Sequence, residues 1–170
     1  MTARVLVAGI GNIFFGDDGF GVEVAQQLFK RRLPATVRVA DFGIRGLDLA
    51  YALQDGYETA ILIDAFPHRQ PPGTISVIEP DLNDLDATFG DGAGLEPHAM
   101  NPMAVLRTVT GTRSALKRVL LVGCEPATIG GEEGTMGLSP TVEQAVHEAV
   151  KVVEVLVEKV LQQARPNPAE

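Results

Sequence analysis

The amino-acid sequence predicts an α/β fold: a three-layer α/β/α sandwich around a mostly parallel five-stranded sheet, with one antiparallel edge strand. Three observations carry that prediction. Short apolar runs rich in β-branched residues alternate with segments of helical period along the chain. One of these runs, Thr59–Ala65 ("TAILIDA"), is apolar on both faces, as a strand covered above and below must be. The connector Phe66–Gly73 ("FPHRQPPG") is short and turn-rich, whereas a parallel crossover needs about a dozen residues.

The elements follow in order. Arg4–Gly9 ("RVLVAG") reads as a buried strand, and Gly9–Asp18 as the loop that leaves it. Gly21–Arg32 sets Val22, Ala25, Leu28 and Phe29 at helical spacing and ends in a basic turn, with Pro34 beyond the stop. Thr36–Gly43 alternates as a second strand, and Gly46–Leu53 is a short helix. Thr59–Ala65 is the central third strand. Thr74–Pro80 is the fourth, antiparallel at the sheet edge. Asp81–His98 is a long loop with five acids (Asp81, Asp84, Asp86, Asp91, Glu96) and no Lys or Arg. Asn101 and Pro102 open a helix that runs to Thr110, with Gly111 as its stop. Lys117–Cys124 is the fifth strand, and a glycine-rich loop follows it. Ser139 and Pro140 cap a final helix whose apolar face is Val142, Ala145, Val146, Ala149, Val153, Leu156, Val157, Val160 and Leu161. Residues 1–164 make one domain, and the tail 165–170 ("RPNPAE") frays.

Composition narrows the function classes. A chain of 170 residues, 45% of them apolar, fills the core of a single domain. The formal net charge of −8 argues against nucleic acid or an anionic membrane as partner and suits a metal ion or a basic peptide. Cys124 is the one cysteine, so no internal disulfide forms. The absence of a basic-apolar leader and of any apolar run near ~18 residues leads us to expect a soluble, cytoplasmic protein. There is no Trp and aromatics are few, which weakens any stacking platform.

In a doubly wound sheet, ligands bind beyond the carboxyl ends of the strands. The loop there, "GIGNIFFGDDGFG", looks at first like a phosphate cradle. It fails as a dinucleotide fingerprint, because Phe14 stands where the third glycine is needed and Asp41 falls too far along to meet a ribose. It fails as a P-loop, because Asp17 and Asp18 replace the lysine and hydroxyl residue. Two carboxylates there would repel a pyrophosphate by on the order of several kcal/mol at short range. A cation suits them better. Asp64 closes the third strand, and His98 ("EPHAM") precedes a helix, as Asp18 does. In the proposed fold Asp18, Asp64 and His98 project into one crevice, a mixed nitrogen and oxygen donor set for Zn, Ni, Mn or Fe(II) rather than a thiolate site. Plainer roles compete: Asp17 or Asp18 as a helix cap, Asp64 bonded to a neighbouring loop, and His98 solvated. His68 and His147 belong to the surface and Cys124 to the core.

Five segments in order then resemble one family. "GIGNIFFGDDGFG", "ADFGIRG" (Ala40–Gly46), "LIDA", "PHAM" and "VGCEP" with "GLSPTVEQAV" are similar to the signatures of the NiFe-hydrogenase maturation endopeptidases, over about residues 4–160. The resemblance implies a protease that removes a C-terminal extension from the hydrogenase large-subunit precursor after nickel insertion. It implies nickel binding by Asp18, Asp64 and His98, with nickel brought by the precursor and zinc or cadmium as stand-ins in vitro. Asp41 matches an aspartate near the same cleft, in a supporting role, and Asp17 is the other supporting acid. The sequence leaves open a metal-dependent or an aspartic-type mechanism, with Asp17 or Asp41 as candidate general base. It also leaves a non-enzymatic nickel-binding chaperone module as the competing class. On this resemblance the acidic loop and the "GGEEG" segment are expected to attract the basic residue before the cut, against the plainer reading of solvated loops.

Overall fold

The computed structural model describes residues 4–89, 100–130 and 134–165. Its strands are β1 (Val5–Ile10), β2 (Val37–Gly43), β3 (Thr59–Ala65), β4 (Ile75–Ile78) and β5 (Arg118–Cys124). Its helices are α1 (Phe20–Leu28), α2 (Gly46–Leu53), α3 (Leu85–Phe89), α4 (Pro102–Thr110) and α5 (Pro140–Gln163). A single 3-10 turn, Asp17–Gly19, leads into α1. The sheet order is β2-β1-β3-β5-β4. All neighbours are parallel except β4, which pairs antiparallel with β5 at the edge. The expected fold class, the central third strand and the antiparallel fourth strand are all present.

The strand period of two sorts the core into two layers. Val5 and Val7 of β1 and Ile61 and Ile63 of β3 face α1 and α5, where Phe20, Val24, Val146, Val153 and Val157 complete the packing. Leu6 and Ala8 of β1 and Ala60 and Leu62 of β3 face α2 and α4, against Leu49, Leu53, Leu106 and Val109. Each fully buried side chain of this size contributes roughly 1.5–3 kcal/mol relative to exposure. Gly21 lets α1 lie close on the sheet, since a Cβ there would stand 2.0 Å from the Ile63 carbonyl oxygen.

Several local expectations need correction. The first helix stops at Leu28, so Lys30, Arg31 and Arg32 lie beyond it. Leu28 makes the last core contact, and Phe29, placed on the apolar face by periodicity, is exposed. The stretch taken as one loop from Asp81 contains α3, started by Asp84 Oδ1 accepting from the Ala87 N–H at 3.1 Å. Asp81 likewise accepts from the Asn83 N–H at 2.8 Å, and Asp86 pairs with Arg107. These three acids serve local structure, which weakens their part in attracting a basic peptide. Asp91, Glu96 and the tail 166–170 lie outside the described residues, as do Glu132 and Glu133 of the "GGEEG" segment. Val150 joins the buried face of α5, whereas Leu156 and Leu161 are only partly buried. The fourth helix matches its expected limits: Asn101 Oδ1 accepts from the Met103 N–H, Pro102 occupies the first turn and Gly111 ends it.

Candidate active site

The site lies at the carboxyl ends of β1 and β3, where the chain order reverses and the connections part to opposite sides of the sheet. The loop after β1 turns at Gly11, which has φ +138°, a backbone state that side chains rarely adopt. A Cβ there would stand 1.9 Å from the Asp18 carbonyl oxygen and 3.7 Å from Asp64 Oδ1. Gly11 is therefore the point around which both acids close.

Asp18 is half-buried, and its Oδ2 accepts from the Asn12 N–H at 2.8 Å. Burial raises its pKa, and the Asn12 bond opposes without cancelling the rise. Asp64 ends β3 beyond the last residue that β1 pairs, Ile63. Its Oδ1 is shut from solvent with no hydrogen-bond partner among the described residues. Burial pushes the Asp64 pKa well above the usual carboxylate range, the Asp18 charge adds to this, and the Ala65 N–H opposes it. Among the described residues, no neighbouring loop bonds Asp64 Oδ1. An orphaned buried carboxylate oxygen beside a second carboxylate is costly unless a proton or a cation joins them.

Asp17 faces the other way. It is fully buried and caps no helix of its own. Its Oδ2 accepts from the N–H groups of Ala127 (2.8 Å) and Thr128 (3.0 Å) and from the Ser139 hydroxyl (2.9 Å), and its Oδ1 accepts from the Ser139 N–H (2.7 Å). Burial is the largest influence and raises its pKa, but the four bonds together outweigh it and the net shift is downward. Asp17 is thus a clamp between the β1 loop, the β5–α5 loop and the start of α5. With its lone pairs engaged, it is a poor general base. Ser139 opens α5 as expected, but its hydroxyl serves Asp17 rather than its own helix.

Asp41 is also engaged. Its Oδ1 accepts from the Gly43 N–H at 2.9 Å, its Oδ2 from Gln26 Nε2 at 3.3 Å, and its carbonyl from the Arg45 guanidinium. Gly43 in turn accepts the Gly11 N–H at 3.0 Å. Asp41 therefore supports the site at one remove, by shaping the turn that holds Gly11. His98 lies outside the described residues. Met100, two residues on, meets the α2 start, where a Cβ on Gly46 would stand 3.1 Å from its Cγ. Among the described residues no group of three or more His, Cys, Asp or Glu gathers to hold a metal.

The other expectations resolve simply. His68 and His147 are exposed, and His68 stacks on Phe66 with ring centroids 5.6 Å apart. Cys124 is buried, and its thiol is pushed up to about 12 by burial first and then by the charges of Asp17, Glu125 and Glu148. That rules out a reactive thiolate. Among the described residues no helix is long and apolar enough to cross a membrane. Sequence reading missed Asn12 as Asp18's donor and Ala127, Thr128 and Ser139 as Asp17's. Asn12 lay within the quoted motif; the others are more than a hundred residues from their partner.

Known proteins share this architecture. A family model described as hydrogenase maturation protease matches residues 22–155. The chain is 33% identical over 156 residues to a putative hydrogenase maturation protease of Methanocaldococcus jannaschii, covering 88% of this chain and 93% of that one. It is 29% identical over 151 residues to the hydrogenase 2 maturation protease of Escherichia coli, covering 88% of each. The solved structure of the hydrogenase maturating endopeptidase HybD from E. coli matches with a TM-score of 0.78 at 29% identity, over 92% of this chain and 93% of that one.

Proposed function

This chain belongs to the hydrogenase maturation protease family and is a peptidase, and from that premise we propose that it removes a C-terminal extension from the large-subunit precursor of a nickel–iron hydrogenase once nickel is in place. Asp18, Asp64 and His98 are the residues that meet the nickel borne by the precursor. The observation that carries this reading is the orphaned Asp64 Oδ1 beside Asp18. Two carboxylates that burial and mutual repulsion make costly gain most from a cation of the substrate. The donor set, two oxygens with one imidazole from His98, suits nickel, with zinc or cadmium as substitutes in vitro.

Such a cation supplies polarisation of a carbonyl and a lowered pKa for bound water. The chain's own part is placement. Gly11 and the Asn12 N–H fix Asp18, the end of β3 fixes Asp64, and Asp17 and Asp41 are occupied with holding the loops. Asp18 and Asp64 are therefore the carboxylates left to act at the cut. Hydrolysis consumes one water and releases the extension as a peptide.

The test mixes pure protein with nickel-loaded and nickel-free precursor and follows release of the C-terminal peptide by mass spectrometry. Release from the loaded precursor alone is expected. Equal release from both would sink recognition of the metal. Complex formation without release would point instead to a chaperone-like role. His98→Ala should abolish cleavage while keeping the fold, and full activity in that variant removes His98 from the site.

A further inference from the structure

Ten large apolar side chains are substantially exposed among the described residues. Scattered singly they would need no explanation. Six of them are not scattered: Ile13, Phe14, Ile44, Leu47, Ile129 and Met136 lie on the three segments that leave the carboxyl ends of β1, β2 and β5. That is the end of the sheet at which Asp18 and Asp64 sit. Phe14, Leu47 and Met136 are the most open, at 60%, 69% and 65% exposure.

These residues are held on fixed backbone. The Thr135 N–H donates to the Phe14 carbonyl at 2.7 Å, the Gly16 N–H to the Thr135 carbonyl at 2.7 Å, and the Gly130 N–H to the Phe15 carbonyl at 3.2 Å. The Asp17 clamp lies directly under this seam. Ile13 packs against Gly19, the residue after Asp18, where a Cβ would stand 3.2 Å from Ile13 Cα. On the opposite flank, the bond from Gly11 to Gly43 holds the turn that presents Ile44. A surface held in this way loses little freedom when a partner docks. It is also continuous with the cleft. Its chemistry is specific: residues 10–19 and 125–139 contain no Lys, Arg or His, and Arg45, the cation of the Ile44–Leu47 flank, is engaged by the Asp41 carbonyl and Asp48, so the rim offers an acidic chain little.

Resting on the peptidase reading above, we infer that this apolar rim is the docking surface for an apolar stretch of the precursor polypeptide beside the scissile bond. Selection of the substrate is divided: the rim takes apolar side chains, and the carboxylates within take the cation.

The test uses the triple variant Phe14→Ser, Leu47→Ser, Met136→Ser, with Phe29→Ser and Val155→Ser as controls at exposed apolar positions off the rim. KM for nickel-loaded precursor and the directly measured Kd of the complex are both read. The triple variant should raise both roughly tenfold or more with kcat unchanged, as for loss of docking contacts, and the controls should change neither. Unchanged KM and Kd in the triple variant overturn the rim while leaving the peptidase standing. An equal rise in the controls also overturns it. If the wild-type protein does not cut at all, the proposed reaction fails, and Kd still decides the rim. Sedimentation supplies the last arm: a wild-type dimer that the triple variant dissociates assigns the rim to a second copy of this chain and overturns the inference.

Discussion

Asp17 and Asp18 are neighbours in one 3-10 turn, yet they belong to opposite regimes. Asp17 is fully buried and satisfied, with four hydrogen bonds that hold its pKa down. Asp18 looks into the crevice with Asp64; burial holds the Asp18 pKa up, and burial with the Asp18 charge holds that of Asp64 well up. A buried carboxylate with every lone pair engaged locks structure. A buried pair with an orphaned oxygen stores an unmet demand that a ligand can meet. The same side chain one residue apart thus serves the scaffold or the chemistry according to which way the turn aims it.

The sharpest way to break the comparison is to remove each acid. Asp64→Asn should lower cleavage by roughly 10²–10⁴-fold while leaving the urea midpoint unchanged or raised, because a buried repulsion is lost. Asp17→Ala should do the reverse in emphasis: a loss of about 3 kcal/mol in unfolding free energy, read by urea denaturation. If the two variants behave alike in both assays, the division between scaffold and chemistry is wrong. A smaller effect is expected at the pivot. Gly11→Ala must accommodate φ +138° and a methyl 1.9 Å from the Asp18 carbonyl, so it should cost about 2 kcal/mol and reduce cleavage as Asp18 is displaced.

The pH dependence of stability sharpens the contrast most gently. Asp64's pKa is raised on folding, so its contribution is fully present below the unfolded value, about 3.9. That contribution is lost as pH rises through the raised folded value. Asp17's pKa is lowered on folding, so its contribution is present above about 3.9 and lost as pH falls through its folded value. Unfolding series from pH 3 to pH 8 should therefore show Asp64→Asn gaining on the wild type as pH rises, and the deficit of Asp17→Asn full at neutral pH and shrinking as pH falls over the acid limb. Parallel curves would remove the assigned environments.

Much of this was legible in the sequence, for a physical reason. Hydrophobic period reports burial, and burial on both faces of "TAILIDA" made β3 central. The short connector after it forced β4 antiparallel, and Asn101, Pro102 and Gly111 marked α4 because capping chemistry is local. The same logic put Asp18 and Asp64 at the same end of the sheet, beyond the carboxyl ends of its strands. Periodicity does not report where a helix runs out of neighbours, so the apolar spacing continues past Leu28 where α1 stops, and the Asp84 cap that starts α3 looks in the sequence like any other acid of that stretch. Only the tertiary structure divided the acid pair. Asp17's donors lie 110 to 122 residues away, and Asp64 Oδ1 is buried with no hydrogen-bond partner among the described residues. Hydrogen-bond partners and desolvation belong to the folded arrangement, whereas element type and direction belong to the chain.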